Sequence, residues 1–310
     1  MAESMATRQA YGKALVELGA KYPDLVVMDA DLSKSTMTAE FGKTYPERFF
    51  NMGIAEQNLY GTAAGLALSG KVVCASTFAM FAAGRAFEII RNSIGYTKAN
   101  VKICATHAGI TVGEDGASHQ TFEDIALMRT IPGMTVINPS DGVSAAKLIE
   151  QAVAMKGPCY VRLGRAKVPV FYNEKSDITL GKGNMIKAGK DATIVATGIM
   201  VSEAVAAAQE LSKEGLDVRV IDIHTIKPID EEIVVRAAKE TGAIVTAEEH
   251  SIIGGLGSAV AEAVVKNHPV RMAMVGQKDT YGESGKPDEL KKKYGMTADD
   301  IIEAVKALIK

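Results

Sequence analysis

The sequence predicts an α/β protein with two doubly wound domains, each a mostly parallel sheet with helices on both faces. Short apolar runs of strand length alternate with longer helical patterns along almost the whole chain. This alternation stops once, at residues 166–192, where turn-forming residues and mixed charge replace any long periodic run. We therefore predict one domain at 1–170, a linker at 171–184 and a second, smaller domain at 185–310.

The predicted strands of both domains are short apolar runs bounded by turn-forming residues. They lie at 25–28, 72–75, 101–105, 134–138 and 159–163 in the first domain, and at 193–198, 217–223, 243–249 and 271–276 in the second. Helix boundaries are also marked: Gly70 ends one helix, and Ser140 and Asp141 can cap another. Thr297 is the expected N-cap of the last helix.

The composition excludes several classes of protein. A balance of 35 basic and 37 acidic residues gives a net charge of −2, which offers no general attraction for nucleic acid or an acidic membrane surface. No stretch is long and apolar enough to span a bilayer, and residues 1–19 lack the apolar core of a signal peptide. Cys74, Cys104 and Cys159 lie in apolar runs without metal-ligand spacing, which is typical of buried reduced thiols. We therefore expect a cytoplasmic protein.

Two stretches of the first domain contain side chains suited to a binding site. Glu56 lies near the start of a helix whose other residues are mostly apolar or small, where a carboxylate loses hydration. The positive end of the helix dipole alone also explains an acid at this position. Phe78 and Phe81 come at the end of a predicted strand, where α/β sheets place ligands, although aromatic residues at helical spacing more often belong to the core.

The stretch THAGITVGEDGASHQ, residues 106–120, follows a predicted strand and is typical of a loop. It combines His107, Glu114, Asp115 and His119 with three glycines. The two histidines are widely spaced and lack a third nearby, which argues against a zinc site, and the acids lack the spacing of a calcium loop. Hydrogen bonding or proton transfer by the histidines requires nothing further from the sequence.

Nine segments, in order along the chain, resemble the C-terminal half of transketolase, a thiamine diphosphate enzyme: ATRQA, DADLSKS, NMGIAEQN, STFAMF, THAGITVGEDGASHQ, VRLGRA, IDIHTIKPID, EEHSIIGGLGSA and TYGESGKP. Several of these segments are weak by themselves, but their order and span make the resemblance specific. It implies a pyrimidine-binding domain followed by the C-terminal domain of that family.

The resemblance implies roles for residues that would bind the cofactor. Glu56 matches the glutamate that hydrogen-bonds the aminopyrimidine ring, and Phe78 and Phe81 match the aromatic residues that pack around it. Asp31 matches an acidic position near the cofactor. The expected catalytic residues are Glu56, His107 and His119, of which His119 is the better candidate for proton transfer.

Further matches concern a phosphorylated sugar. Asp115 matches the aspartate that binds a sugar hydroxyl, and Arg8, Ser35 and Arg165 match the positions that hold the sugar phosphate. Arginine suits this task because its planar guanidinium is always charged. The expected substrate-binding residues are Arg8, Ser35, His107, Asp115, His119 and Arg165.

Some residues depart from the family pattern. Ala108 and Gly109 replace an Asp-Ser pair found in many transketolases, and Gly84 replaces a tyrosine, so specificity on that side of the cofactor stays open. The Ala-Gly pair is similar to that of 1-deoxyxylulose-5-phosphate synthase, so this activity is an alternative. Another alternative in the same superfamily is the β-subunit of a 2-oxoacid dehydrogenase. A non-catalytic homologue that only binds a partner is the third interpretation, which Glu56 and the two histidines oppose because binding alone does not require them.

Full-length transketolases also carry a thiamine domain on the N-terminal side, where a Gly-Asp-Gly motif and a later asparagine hold the diphosphate through a divalent metal. This sequence has no Gly-Asp-Gly motif. Its acidic stretch 114–116 belongs to residues 106–120, the expected sugar-binding loop (the sugar loop). The resemblance therefore implies one subunit of a split transketolase, without metal ligands of its own. A separate N-terminal subunit is expected to supply magnesium or calcium and the diphosphate site, in a two-plus-two heterotetramer.

Overall fold

The computed structural model describes residues 4–310 and confirms an α/β fold with mainly parallel sheets. The strands are β1 (Ser4–Met5), β2 (Leu25–Asp29), β3 (Phe49–Asn51), β4 (Val72–Phe78), β5 (Val101–Thr106), β6 (Thr135–Ile137), β7 (Cys159–Arg162), β8 (Val168–Pro169), β9 (Asn184–Lys187), β10 (Ala192–Ala196), β11 (Val218–Asp222), β12 (Thr225–Lys227), β13 (Ala243–Ser251) and β14 (Arg271–Gln277).

Helices occupy most of the remaining chain. The α-helices are α1 (Thr7–Lys21), α2 (Ser33–Thr36), α3 (Ala39–Thr44), α4 (Glu56–Leu68), α5 (Phe87–Ile89), α6 (Asp124–Thr130), α7 (Gly142–Ala154), α8 (Met200–Lys213), α9 (Glu231–Thr241), α10 (Leu256–Asn267), α11 (Pro287–Lys293) and α12 (Ala298–Ile309). Turns of 3-10 helix lie at Pro46–Arg48 and Ile110–Asp115, and π-helical turns lie at Phe81–Arg85 and Ile90–Tyr96. As predicted, Asp141 caps α7 by accepting a 2.8 Å hydrogen bond from the Ser144 N–H, and Thr297 is the N-cap of α12.

The first sheet has seven strands in the order β12-β6-β7-β5-β4-β2-β3, and all are parallel except β12. Alternate residues of its strands belong to two different cores, so both faces are covered. One face packs against α1 and α7 through residues such as Leu15 and Leu148, and the other packs against α4 through residues such as Leu59. Strand β4 extends three residues beyond the predicted 72–75, because its pairing with β5 continues to Phe78 and Thr106.

The second sheet has five strands in the order β14-β13-β10-β11-β9, of which β9 is antiparallel. Val220 on one face belongs to a core with α8 and α12, while Ile221 on the other face packs with α9 and α10. This is the doubly wound arrangement that the repeating apolar runs predict.

The two sheets are joined by more than a linker. Strand β12 follows the second-domain strand β11 in the chain, yet it pairs antiparallel with β6 and forms the edge of the first sheet. The Asn138 N–H donates a 2.8 Å hydrogen bond to the carbonyl of His224 in the same region. Backbone pairing of this kind fixes the second domain against the first.

All three cysteines are buried and free, as their apolar surroundings predict. Among residues 4–310, no helix is both long enough and apolar enough to cross a membrane.

Candidate active site at the carboxyl edge of the first sheet

Several predicted site residues lie at the carboxyl ends of neighbouring parallel strands. Phe78 is the last residue of β4, and His107 directly follows β5, which pairs with β4 up to that point. Arg165 lies three positions beyond the end of β7, and Asp31 lies two positions beyond the end of β2. Because parallel strands end at a common edge, the fold brings these segments together at the place where α/β sheets bind ligands.

Four aromatic rings form one cluster at this edge. The rings of Phe78 and His107 stack with centroids 3.9 Å apart, and Phe78 also stacks on Phe81 at 6.1 Å. The His119 ring meets Phe81 edge-on at 5.5 Å and Phe78 at 6.2 Å. The two phenylalanines and the two histidines come from separate segments of the sequence. The fold packs their rings together into one cluster.

His107 is held in an unusual conformation and in its neutral form. Its backbone is left-handed, with φ of 58°, which is costly for a residue other than glycine and is found preferentially at functional sites. Its Nδ1 lies 2.9 Å from the Thr106 hydroxyl. Burial, together with the nearby cations of Arg8 and Arg165, lowers the pKa of His107 to about 3. At neutral pH the ring is therefore a neutral hydrogen-bonding group.

Arg8, Ser35 and Arg165 form a cationic corner of the site. The Arg8 Nη1 donates a 2.7 Å hydrogen bond to the Ser35 carbonyl, while its buried Nε has no hydrogen-bond partner among residues 4–310. Burial and the neighbouring Arg165 both lower the pKa of Arg8. The Arg165 Nη1 donates to the Val112 carbonyl at 2.6 Å and to the Glu114 carboxylate at 2.9 Å. Two adjacent guanidinium groups with an unused donor are suited to an anion such as a phosphate ester.

Glu56 is the first residue of α4 and is only 4% exposed. Its Oε2 has no hydrogen-bond partner within residues 4–310, and neither has the buried hydroxyl of Tyr60 one turn later. A buried carboxylate oxygen without a partner is costly unless a ligand supplies a donor. An aminopyrimidine ring bears such a donor, so Glu56 together with the Phe78 and Phe81 rings fits the pyrimidine part of thiamine diphosphate.

Asp31 lies beside the segment that leads to Glu56. Its backbone is left-handed with φ of 63°, and its carboxylate accepts a 3.2 Å hydrogen bond from the Asn51 amide. Asp29, which sequence reasoning missed, holds the segment that follows Asp31 through hydrogen bonds. Its buried carboxylate accepts hydrogen bonds from the Leu32 N–H and the Thr36 hydroxyl. Burial raises the pKa of Asp29 although these hydrogen bonds oppose the change.

Not every predicted residue joins the central cluster. Asp115 is exposed at the end of the 3-10 turn Ile110–Asp115, and its role in binding a sugar hydroxyl stays a prediction. No group of three or more His, Cys, Asp or Glu side chains within residues 4–310 is arranged to hold a metal ion.

Sequence reasoning also missed a buried ionic cluster behind the site. The Arg162 Nε donates to the Asp124 carboxylate at 2.8 Å, and Arg162 Nη2 donates to the Glu249 carbonyl at 2.9 Å. The signal was present in the sequence, because Arg162 lies in VRLGRA and Glu249 in EEHSIIGGLGSA. Only the fold brings these segments together.

Both domains of the chain are similar to domains of known proteins. Residues 3–170 match the transketolase pyrimidine-binding domain, and residues 181–301 match the transketolase C-terminal domain. The chain belongs to the transketolase family, within the group of split transketolase C-terminal subunits.

Particular relatives agree with this placement. The chain is 52% identical to the "Putative transketolase C-terminal section" of Methanocaldococcus jannaschii, over 96% of this chain and 94% of that protein. It is 43% identical to the 6-deoxy-6-sulfo-D-fructose transketolase subunit SqwH of Clostridium sp. strain MSTE9, over 96% and 92% of the two chains. A solved structure described as a split gene transketolase, inactive beta4 tetramer, is 56% identical, with a TM-score of 0.93 over 98% of both chains. Human transketolase is 39% identical, but the match covers only 49% of its length.

Proposed function

We propose that this chain is the C-terminal subunit of a two-chain transketolase. With a separate N-terminal subunit it transfers a two-carbon ketol unit from a ketose phosphate to an aldose phosphate, using thiamine diphosphate. The observation that carries this proposal is the convergence at one sheet edge of three unlike features. These are the unpartnered Glu56 carboxylate oxygen, the Phe78–His107 stack and the adjacent arginines Arg8 and Arg165.

Four residues are assigned to the cofactor. Glu56 would accept a hydrogen bond from the aminopyrimidine ring and hold the ring in place, while Phe78 and Phe81 would pack against it and exclude water. Asp31 is assigned a place beside the cofactor, and its hydrogen bond with Asn51 holds it next to the segment that leads to Glu56. When bound, thiamine diphosphate supplies the carbanion chemistry that breaks a carbon–carbon bond beside a carbonyl group.

The histidines and arginines are assigned to the sugar. His119 moves a proton at the ketol oxygen, and His107, which is neutral, hydrogen-bonds the same group. Asp115 binds a hydroxyl farther along the sugar. Arg8, Ser35 and Arg165 hold the phosphate, so that the reacting carbon is placed against the cofactor by contacts at the far end of the substrate.

The N-terminal subunit is assigned the diphosphate and its magnesium or calcium ion. Two relatives that this chain covers over more than nine tenths of their length are named as a C-terminal section and as a subunit, which supports a two-chain enzyme. The split-gene relative described as an inactive beta4 tetramer supports both self-association of this subunit and its dependence on a partner. The assembly proposed is two-plus-two, in the cytoplasm.

Reconstitution tests the proposal. The purified chain, given thiamine diphosphate, magnesium and xylulose 5-phosphate with an aldose phosphate acceptor, should show no ketol transfer until the N-terminal subunit is added. Activity should then saturate at equal amounts of the two subunits. Full activity from this chain alone would refute the two-chain assembly, although not the reaction.

The alternatives within the superfamily are separated by the donor. A 1-deoxyxylulose-5-phosphate synthase or a 2-oxoacid dehydrogenase β-subunit uses pyruvate or another 2-oxoacid as donor. The paired arginines favour a phosphorylated sugar substrate over a lipoyl-domain partner. The relationship to a 6-deoxy-6-sulfo-D-fructose transketolase subunit makes a sulfonated ketose a second donor to assay, because a sulfonate is also an anion that arginine binds. Turnover of pyruvate without turnover of any ketose would refute the proposed reaction.

A further inference from the structure

Glu249 connects the second domain to the proposed sugar loop. It lies near the end of β13, 3% exposed, and its Oε1 accepts a 2.6 Å hydrogen bond from the Thr111 N–H, 138 positions away in the chain. Thr111 belongs to the 3-10 turn Ile110–Asp115, between the two site histidines in sequence. A buried hydrogen bond to a charged acceptor is among the stronger single contacts in a protein.

Gly109 shows how closely the carboxylate is fitted into this loop. A Cβ atom at position 109 would lie 2.3 Å from the Glu249 Cδ and within 2.6 Å of both carboxylate oxygens. The backbone at Gly109 has φ of 80° and ψ of −168°, a region open almost only to glycine. The Glu249 carboxylate therefore occupies the space that a side chain at position 109 would fill, which gives the departure at Gly109 a structural reason.

Glu249 is itself held from the first domain. The Arg162 Nη1 lies 4.0 Å from its Oε2, and Arg162 Nη2 donates to its carbonyl at 2.9 Å. Arg162 is fixed in turn by Asp124, whose carboxylate also accepts a 2.7 Å hydrogen bond from the Tyr160 hydroxyl. All these side chains are buried, so the position of the Glu249 carboxylate is determined from both domains.

We propose that Glu249 is a positioning residue through which the second domain sets the conformation of the sugar loop. Within residues 4–310 no hydrogen bond or ion pair joins its side chain to Phe78, His107 or His119, and it acts on them through the backbone at Gly109 and Thr111. Its effect on the loop is independent of the reaction, whereas its effect on turnover rests on the proposed function. The second domain then has a task at the active site that does not require a ligand of its own.

Amide hydrogen exchange in the full chain tests the effect on the loop without any assay of activity. Glu249→Ala should raise the exchange rate of the Thr111 amide about tenfold or more, since that amide loses its acceptor. Glu249→Gln retains an amide oxygen at the same reach and should restore most of the protection. The control is Glu262→Ala, which removes the exposed interdomain ion pair with Arg129 and should leave the Thr111 amide unchanged. The Leu148 amide in α7 serves as an internal reference.

Two results would overturn the proposal: an unchanged Thr111 exchange rate in Glu249→Ala, or an equal rise in Glu262→Ala, which would indicate general loosening of the domains. If Glu249→Ala does not fold, Glu249→Asp keeps the charge beside Arg162 and withdraws the oxygens from Thr111. It should raise Thr111 exchange in the same direction, and no change in that folded variant would also overturn the proposal.

Kinetics of the reconstituted enzyme test the consequence for the site. Glu249→Ala should raise KM for the ketose phosphate about tenfold or more, with Glu249→Gln close to wild type and Glu262→Ala unchanged. A loosened loop without any kinetic effect would refute the positioning role. If the wild-type pair of subunits shows no ketol transfer, the proposed function fails while the exchange result still decides the effect on the loop.

Discussion

The carboxyl edge of the first sheet presents Phe78, His107 and Arg165, whereas that of the second sheet presents Asp222 and Glu249. Both edges belong to parallel strands, and α/β sheets bind ligands at such edges. At the first edge the Glu56 and Arg8 side chains each retain a buried polar atom without a partner inside residues 4–310. We propose that a bound ligand supplies the partners that these two atoms lack.

At the second edge, residues of the first domain and of the linker hydrogen-bond to the acidic side chains. The Asp222 Oδ2 accepts hydrogen bonds from the Ser140 hydroxyl at 2.6 Å and the Tyr172 hydroxyl at 3.0 Å. Glu249 accepts from Thr111, and the Ser251 N–H donates to the Phe122 carbonyl at 2.9 Å. The Asp222 Oδ1 is buried without a partner within residues 4–310, so not every polar group of this edge is satisfied. Two doubly wound sheets therefore differ in what meets their carboxyl edges: the second has a docking edge, which contacts the first domain and the linker, whereas the first has a candidate binding edge.

The largest loss of activity is expected from replacing a histidine of the first edge. In the reconstituted enzyme His119→Ala should lower kcat by about 10²–10⁴-fold, the usual range for loss of a proton-transferring group. His268→Ala removes an exposed histidine of the second domain and should leave kcat unchanged. The same loss of kcat in both variants, or no loss in either, would refute the catalytic role of His119.

The cationic corner gives a smaller effect that depends on the substrate. Arg165→Ala should raise KM for a ketose phosphate by about 10–100-fold, since a hydrogen bond to a charged group is worth about 1.5–3 kcal/mol. The same variant should have little effect on KM for an unphosphorylated ketose. Arg91→Ala, at an exposed arginine outside the site, is the matched control. A loss of the same size for both donors would show that Arg165 does not bind the phosphate.

Asp222 at the docking edge should make the stability of the folded chain depend on pH. Burial raises the pKa of Asp222 from 3.8 to about 7, although the Ser140 and Tyr172 hydrogen bonds oppose this. The folded state therefore binds the proton more tightly than the unfolded state, and this group's contribution to stability falls by up to about 4 kcal/mol as pH rises from 4 to 7.

Asp222→Asn keeps the shape and removes that titration. Its Tm should exceed that of the wild type at pH 8, and the difference should shrink as pH approaches 5. Asp217→Asn, at an exposed aspartate one strand length away, should show no such pH-dependent difference. A variant less stable than the wild type at pH 8, with the difference unchanged at pH 5, would contradict the burial of an ionising group at this edge.

The fold was largely predictable from the sequence because buried parallel strands leave continuous apolar runs, such as 25–28 and 243–249. Thr225–Lys227 is different. It is three residues long and pairs with a strand of the other domain, and neither its periodicity nor its composition indicates that partner. The boundaries 1–170 and 185–310 stay predictions.

The candidate site was predictable only through its segments. Phe78 and His107 each follow an apolar run, and the parallel register then brings them to 3.9 Å. Glu249 was missed because its segment, although similar to the family, does not indicate which residue the carboxylate meets. Its role depends on Thr111, 138 positions earlier, and contacts over such distances are set by how the two domains pack.

Two of the buried glutamates, Glu56 and Glu248, test the contrast between the edges most directly. Glu56 has an oxygen without a partner in the described chain, whereas Glu248 accepts from the N–H groups of Leu256 and Gly257 at 2.6 and 2.7 Å. We predict that Glu56→Ala lowers kcat of the reconstituted enzyme by at least about 100-fold without lowering Tm. Glu248→Ala should instead destabilise the chain by about 1–3 kcal/mol and keep kcat near that of the wild type. Retained turnover in Glu56→Ala, or lost turnover with unchanged stability in Glu248→Ala, would contradict the account.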